Sequence, residues 1–275
     1  MRNLFSVGLF RTVRSKLFYI LLALTALVMA YVYYNTYRVQ LGPDFSQLDL
    51  YFFQFINANI VSAAVFCPLF LSSEYGDGAL RNKLMVGRTR PQIYLANLAV
   101  NCLYGTAACL AAVVAGLCVG VPLLGWFQNA GPEKILLYVL LALATTWVCA
   151  ALYTFLSMVV ASRGVAITLC ILLAFGLILL GQYLYLALSQ EEVLTALFYT
   201  DTGEMAVSEQ PNPAYLTGFA RQVYQFFYEL TPGGQAYQIL GMSAQSPLRL
   251  LGYSGLVFVL VTGLGLAIFQ KKDVK

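Results

Sequence analysis

At 275 residues, with 60% of them hydrophobic and 10% charged, the chain lacks the polar surface of an ordinary soluble domain, in which ~25% of residues carry charge. Its net charge of +4 is small, and no basic stripe interleaves with aromatics, so no nucleic-acid partner is expected. With no His anywhere, His-based triads and the H-E-x-x-H zinc motif are excluded, and no G-x-x-x-x-G-K-[ST] phosphate loop appears.

A bilayer-crossing helix needs about 20 mostly apolar residues for a hydrocarbon core of ~30 Å. Six segments qualify, at roughly 17–37, 53–73, 95–120, 135–161, 165–188 and 249–269. They predict an all-α polytopic membrane protein forming one transmembrane domain over 1–275, with short outer helices between the fifth and sixth spans. With the N-terminus inside, the inner segments hold Arg2, Arg11, Arg14, Lys16, Arg81, Lys83, Arg88, Arg90, Arg163, Lys271, Lys272 and Lys275, and the outer ones only Arg38, Lys134, Arg221 and Arg249. That bias places both termini in the cytoplasm by the positive-inside rule.

Residues 1–16 form an elbow segment. Leu4, Phe5, Leu9, Phe10, Val13 and Leu17 recur at helical spacing with Arg11 and Arg14 mostly off the stripe, as expected of a helix lying in the headgroup layer. The first span comes directly after it. Its apolar run exceeds the ~7–15 residues of a signal-peptide core, so it is expected to be retained. The second span carries Gln54, Asn57 and Asn59 in its outer part; the third carries Asn97 and Asn101 one helical turn apart. Hydrogen bonding between helices is the default role for such residues; lining a substrate path is the alternative for Asn57, Asn97 and Asn101. Ala108, Ala112, Gly116 and Gly120 give the third span a small-residue face suited to close packing within the subunit.

Between these two spans lies the inner loop 74–91. Gly76 and Gly78 loosen the backbone after Glu74, a short amphipathic helix carries Leu80, Arg81 and Leu84, Gly87 permits a turn, and Pro91 suits the first turn of the next helix. The outer segment 189–247 is the longest non-spanning stretch. Ser189 to Glu192 fits a capping box and predicts a helix to about Tyr199; Asp201 to Gly203 signals a turn; Asn212-Pro213 predicts a second helix. Phe219, Val223, Phe226, Phe227 and Leu230 would form its apolar stripe, Thr231 to Gly234 would end it, and one or two turns would come after, from Gln235 to Met242.

The six cysteines, Cys67, Cys102, Cys109, Cys118, Cys149 and Cys170, all fall in spans with no C-x-x-C pair, as expected of small buried apolar residues. Within the six segments there is no Asp, Glu or Lys, and the one Arg, Arg249, stands at the outer edge of the sixth. Ion-coupled carriers usually keep an ionisable group at membrane depth, so the motive force is expected from a partner meeting the basic inner face.

The inner loop resembles the one between the second and third spans of ATP-binding-cassette (ABC) transporter permeases of the type-2 export subfamily. That family shows an acidic residue, a glycine, "LR" with a hydrophobic, then "G-x-[ST]-R"; here these are Glu74, Gly78, Leu80-Arg81, Leu84 and Gly87-Arg88-Thr89-Arg90. The layout of elbow helix, six spans, long outer segment and basic tail is similar too. The resemblance implies a coupling helix at about 75–88 seated in an ATPase cleft. Glu74 would pair with basic groups at the membrane boundary, Leu80 and Leu84 would make the apolar contact, and Arg81, Arg88 and Arg90 the polar ones. The turn Ser162-Arg163-Gly164 would be a second contact.

By the same resemblance this chain binds no cofactor and performs no covalent chemistry. Two separate ATPase subunits would carry ATP and Mg, a second copy or a homologous permease would complete the pathway, and the site would be the plasma (inner) membrane of a bacterium. The competing expectations are an ion-coupled carrier with neutral ligands and a non-transporting membrane scaffold or immunity protein.

Overall fold

The computed structural model describes residues 2–39, 48–76, 78–160, 162–199 and 205–271. The chain is an all-α polytopic membrane protein with six helices long and apolar enough to cross a bilayer. The elbow helix α1 (Arg2–Arg14) leads into α2 (Lys16–Val39), the first span. The second span opens with α3 (Leu48–Tyr51) and, after a 3₁₀ turn at Phe52–Gln54, runs through α4 (Phe55–Gly76). The inner loop holds α5 (Ala79–Met85). The third span is α6 (Arg90–Ala115), a π turn at Gly116–Gly120, and α7 (Val121–Leu124). Then come α8 (Pro132–Val159) and α9 (Arg163–Leu188). The outer segment contains β1 (Val193–Tyr199), β2 (Met205–Pro211), α10 (Gly218–Leu230) and α11 (Pro232–Leu240), and α12 (Pro247–Lys271) is the sixth span.

Hydropathy placed the spans because burial in lipid demands an apolar surface whatever the neighbours are. Their ends run a few residues further than the apolar runs. The second span starts at Leu48, so Asp49, expected in an outer loop, sits buried in its first turn. There its carboxylate accepts from the backbone N–H groups of Gln128 (2.8 Å) and Asn129 (3.2 Å) and fixes the loop after the third span. Beneath it Phe52, Phe53, Phe55, Phe127 and Tyr138 interlock edge-on or tilted.

The second span is the axis of the bundle: 67% of its most apolar stretch is buried, against 11% in the sixth, which is largely exposed. α8 packs on α4, α6 and α12, and α4 also packs on α9. The small-residue face of the third span packs within the chain as expected: Ala108 and Ala112 are buried, and Gly116 and Gly120 lie against Phe52, Tyr33 and Leu48. The π turn falls on this face, where two glycines let the helix shift register while keeping close contact. Among the cysteines, Cys67, Cys109, Cys149 and Cys170 are buried and Cys102 is half-buried, whereas Cys118 is exposed.

The elbow divides the predicted stripe: Leu4 is buried and Phe5 and Leu17 pack on the core, while Phe10 and Val13 point outward. Leu4, Gly8 and Thr12 are buried, and a Cβ on Gly8 would press Val100 of α6 at 2.8 Å. Val7, Phe10 and Val13 point outward, available to the acyl boundary.

The outer segment departs most from expectation. Ser189 does not start a helix; it ends α9, its N–H bonding Tyr185 O (2.9 Å) and its Oγ donating to Leu186 O (3.1 Å). The predicted helix to Tyr199 is a strand, paired antiparallel with β2 from Val193↔Pro211 to Tyr199↔Met205. Val193, Thr195, Phe198 and Tyr199 favour a pleated chain, and in a hairpin alternate residues exchange backbone hydrogen bonds across the two strands. The turn expected at Asp201 to Gly203 lies outside the described residues. Asn212 caps a turn, not a helix: its Oδ1 accepts from Ala214 N (2.9 Å), and α10 starts only at Gly218. Phe219, Phe226 and Phe227 of the expected stripe are exposed; the buried residues of α10 are Tyr228 and Glu229. Thr231 to Gly234 ends α10 and at once begins α11, with Thr231 Oγ1 accepting from Gly234 N (3.3 Å) and Pro232 in the first turn.

α11 is almost wholly buried, lodged between α8 and α9. Its glycines permit this: a Cβ on Gly233 would strike the Leu177 carbonyl, and one on Gly181 of α9 would strike the Gly233 carbonyl. Gln235 then ties three elements together. Its Oε1 accepts from Thr145 (3.1 Å) and Ser254 (2.7 Å), and its Nε2 donates to Glu229 O (2.9 Å) and Leu250 O (3.4 Å).

Candidate functional site

Two features stand out from the packed bundle, and both involve the second span. One is the inner loop where it leaves the expected membrane; the other is a cleft along its flank.

The inner loop is held by backbone geometry at both ends. Gly78, at φ 64°, occupies the left-handed region as the residue before α5, a conformation that disfavours a side chain. Gly87, at φ 80°, closes the helix: its N–H bonds Leu84 O (3.0 Å) and the Arg88 N–H bonds Lys83 O (3.1 Å). That pair of bonds is a Schellman stop, and it ends the helix after two turns. Thr89 is extended and Pro91 lies in the first turn of α6.

The sequence-predicted residues divide under this geometry. Arg81 is exposed and lines an open depression of about 560 Å³ with Gly78, Asn82, Leu84 and Met85. Leu84, expected to meet a partner, is half-buried and packs on the chain's own core. Arg88 is half-buried just past the helix stop. Arg90 turns away: its Nη1 donates to Gln270 O (2.8 Å) and Phe269 O (3.4 Å), satisfying carbonyls at the C-terminus of α12. The side chains of Glu74 and Leu80 lie outside the described residues. Among the described side chains, the apolar groups presented at α5 are Met85 (77% exposed) and the next residue, Val86 (78%). Sequence reasoning passed over them because they sit at the end of the helix, off the Leu80–Leu84 spacing. The usable signal was two apolar side chains ahead of a helix-stopping glycine.

The cleft has a volume of about 470 Å³ and lies between α2, the second span and α9, with Leu21, Thr25 and Met29 facing Gln54, Asn57 and Ser62 and Ile178 closing one side. Asn57 is the predicted path residue that lines it, and its Oδ1 is buried without a hydrogen-bond partner. Asn97 and Asn101 are not brought to this cleft. They are buried, and Asn101 Nδ2 donates to Thr154 Oγ1 of α8 (2.7 Å), the interhelical role that was the default expectation.

Charge is also buried at the outer end. Glu229 is buried in an ion pair with Arg249 of α12 and accepts from Gln225 Nε2 (2.8 Å). Close by, burial raises the phenol pKa of Tyr228, and a hydrogen bond to Tyr183 raises that of Tyr224. Nothing in the sequence pattern marked this pair, since its members come from different helices. Among the described residues no three His, Cys, Asp or Glu side chains gather. The arrangement is suited to contact and charge pairing, with an amphipathic short helix on one face and an apolar, amide-bearing cleft on the flank. Compared with known proteins, the chain matches no family model and no curated protein.

Proposed function

We propose that this multi-pass membrane protein is the membrane-spanning subunit of an ABC exporter of the type-2 kind, in the inner membrane of a bacterium. It moves a substrate outward by alternating access. The observation that carries this reading is α5: a short helix fixed by Gly78 and a Schellman stop, offering Arg81, Met85 and Val86 from a loop that continues the axial span. Exposed apolar side chains beside a basic group suit a protein surface, and the contact of α5 with α4 would let motion of a docked partner reach the bundle axis.

In this reading two ATPase subunits carry ATP and Mg and dock on α5 of this chain and of a second copy or homologous permease. Closure of the ATPase pair moves α5 and α4. The cleft beside α4 takes the cargo, with Asn57 supplying a polar contact among apolar walls, and its affinity differs between the two conformations.

The test is co-purification of the chain with a candidate ATPase subunit. Arg81→Glu with Arg88→Glu is expected to weaken association while membrane insertion and thermal unfolding stay as in the parent. Undiminished association would overturn the docking role of α5.

A further inference from the structure

The cleft on the flank of the second span has a chemistry of its own. Val61 and Val65 of α4 and Leu24 and Val28 of α2 give it apolar walls. Leu24 and Val28 are exposed, so the cleft opens sideways from the bundle. Two hydroxyls lie in it, and both are spent on their own helices. Thr25 Oγ1 donates to Leu21 O (2.9 Å), and Ser62 Oγ donates to Asn59 O (3.2 Å).

Two amides remain. Gln54 and Asn57 stand three residues apart on one side of the span, and both are half-buried against the cleft. Gln54 makes no hydrogen bond among the described residues, and Asn57 Oδ1 is closed off without a partner. The Asn57 amide has a broad range about its last bond, so either of its polar atoms can turn to a ligand. An unpaired amide at membrane depth carries its full desolvation cost, and hydrocarbon cannot relieve it. These groups are confined to one end of the cleft. Gln54 belongs to the 3₁₀ turn near the start of the span, and from there to Val65 the helix covers ~16 Å at ~1.5 Å per residue. That is about half of a ~30 Å hydrocarbon core. Among the described residues none that lines the cleft is charged, so an ionised head would be held there without a countercharge.

We propose that this cleft binds a neutral single-chain amphiphile from the outer half of the bilayer, its hydroxyl or amide head on Gln54 and Asn57 and its chain along Val61, Val65 and Leu24. Side-chain amides donate and accept, and so does such a head. A hydrocarbon without a head would leave both amides unpaired, and a phosphate or ammonium head would itself be unpaired. The length suits one chain in one leaflet, and a volume of about 470 Å³ suits a small molecule. The inference rests on the transport reading in making this ligand the cargo; the binding itself stands on the cleft.

For the test, the full-length chain is reconstituted in phosphatidylcholine nanodiscs free of detergent and exposed to a diazirine-bearing monododecanoylglycerol, with adducts mapped by mass spectrometry. Saturable labelling of α2, α4 and α9 is expected. Unlabelled monododecanoylglycerol is expected to compete, and dodecane and dodecyl phosphate at equal concentration are not. Gln54→Leu with Asn57→Leu keeps the side-chain bulk and removes the amides. It is expected to weaken binding about tenfold, the loss of two neutral hydrogen bonds, without lowering the unfolding temperature. The competition series needs no variant and stands whether or not the double variant folds. Equal competition by dodecane would reduce the cleft to an apolar groove, equal competition by dodecyl phosphate would remove the neutral head, and unchanged affinity in the double variant would remove the amides; each overturns the proposal. So would labelling that never saturates, or labelling lost in nanodiscs that hold two copies, which would give the groove to a subunit interface. Failed binding with ATPase association intact would leave the transport reading standing. Binding by a chain that associates with no ATPase would keep the site and remove its role in cargo.

Discussion

At the outer end, α11 is buried along nearly its whole length, touches α9 backbone to backbone, and satisfies Gln235 with four hydrogen-bond partners. At the inner end, α5 packs Leu84 inward and leaves Arg81, Met85 and Val86 exposed. Both are short helices flanked by glycines, yet the glycines do opposite work. In α11 they remove side chains so that backbones can meet; around α5 they supply left-handed turns that set two turns of helix apart from the spans on either side. The outer end is therefore specified by packing inside the chain, and the inner helix by geometry that leaves its surface for something else.

The sharpest way to break this contrast is to add one methyl group. Gly181→Ala places a Cβ against the Gly233 carbonyl, and backbone cannot rotate out of the way as a side chain can. The expected cost is about 3 kcal/mol, the upper part of the overpacking range, read by thermal or denaturant unfolding in detergent. Gly176→Ala, in the same helix but with nothing within 4 Å of its new Cβ, is expected to be neutral or to stabilise by up to ~1 kcal/mol through helix propensity. Equal effects at the two positions would refute the close contact of α9 with α11.

A smaller effect is expected where the outer end holds charge. Arg249→Met leaves Glu229 buried without its cation. Removing one partner of a fully buried pair costs ~3–5 kcal/mol, but the Arg249 side chain is 49% exposed and solvent already screens it. About 2 kcal/mol of destabilisation is therefore expected in the same unfolding measurement. The double variant Arg249→Met with Glu229→Gln is expected to recover most of it, and no recovery would mean that the loss came from packing of the Arg249 stem.

The two ends also differ in how far they could be foreseen. The six spans are legible in hydropathy because lipid imposes one rule on every exposed position. The short inner helix and its glycine stop are legible in local chemistry, since Gly78 and Gly87 act on their own neighbours. The outer segment escapes because distant groups decide it. Ser189 and Glu192 satisfy a helix-start pattern, but α9 had already reached Ser189 and needed an end. Gly233 and Gly234 read as a helix stop on propensity, which close contact with α9 overrides. Within the candidate site, spacing identified Arg81 and Asn57 in exposed or cleft-lining places. It missed that Arg90 is taken up by the end of α12 and that Leu84 packs inward, because both depend on elements far along the chain.

The smallest expected effect on stability carries the most information about the inner end. Met85→Ser with Val86→Ser removes two apolar side chains that touch little of this chain, so unfolding is expected to move by less than ~0.5 kcal/mol, as for exposed sites elsewhere. If a partner covers them, each loses a share of the ~1.5–3 kcal/mol that full burial of such a side chain contributes. Half of that for each side chain amounts to a roughly tenfold or greater weakening of ATPase association. A surface exposed only to water or lipid would show neither change. The combination of unchanged unfolding and weakened association therefore separates a docking helix from an ordinary basic loop. Retained affinity alongside unchanged unfolding would leave α5 as a topological turn, and the exposed Met85 and Val86 would then be lying on the headgroup layer beside α1.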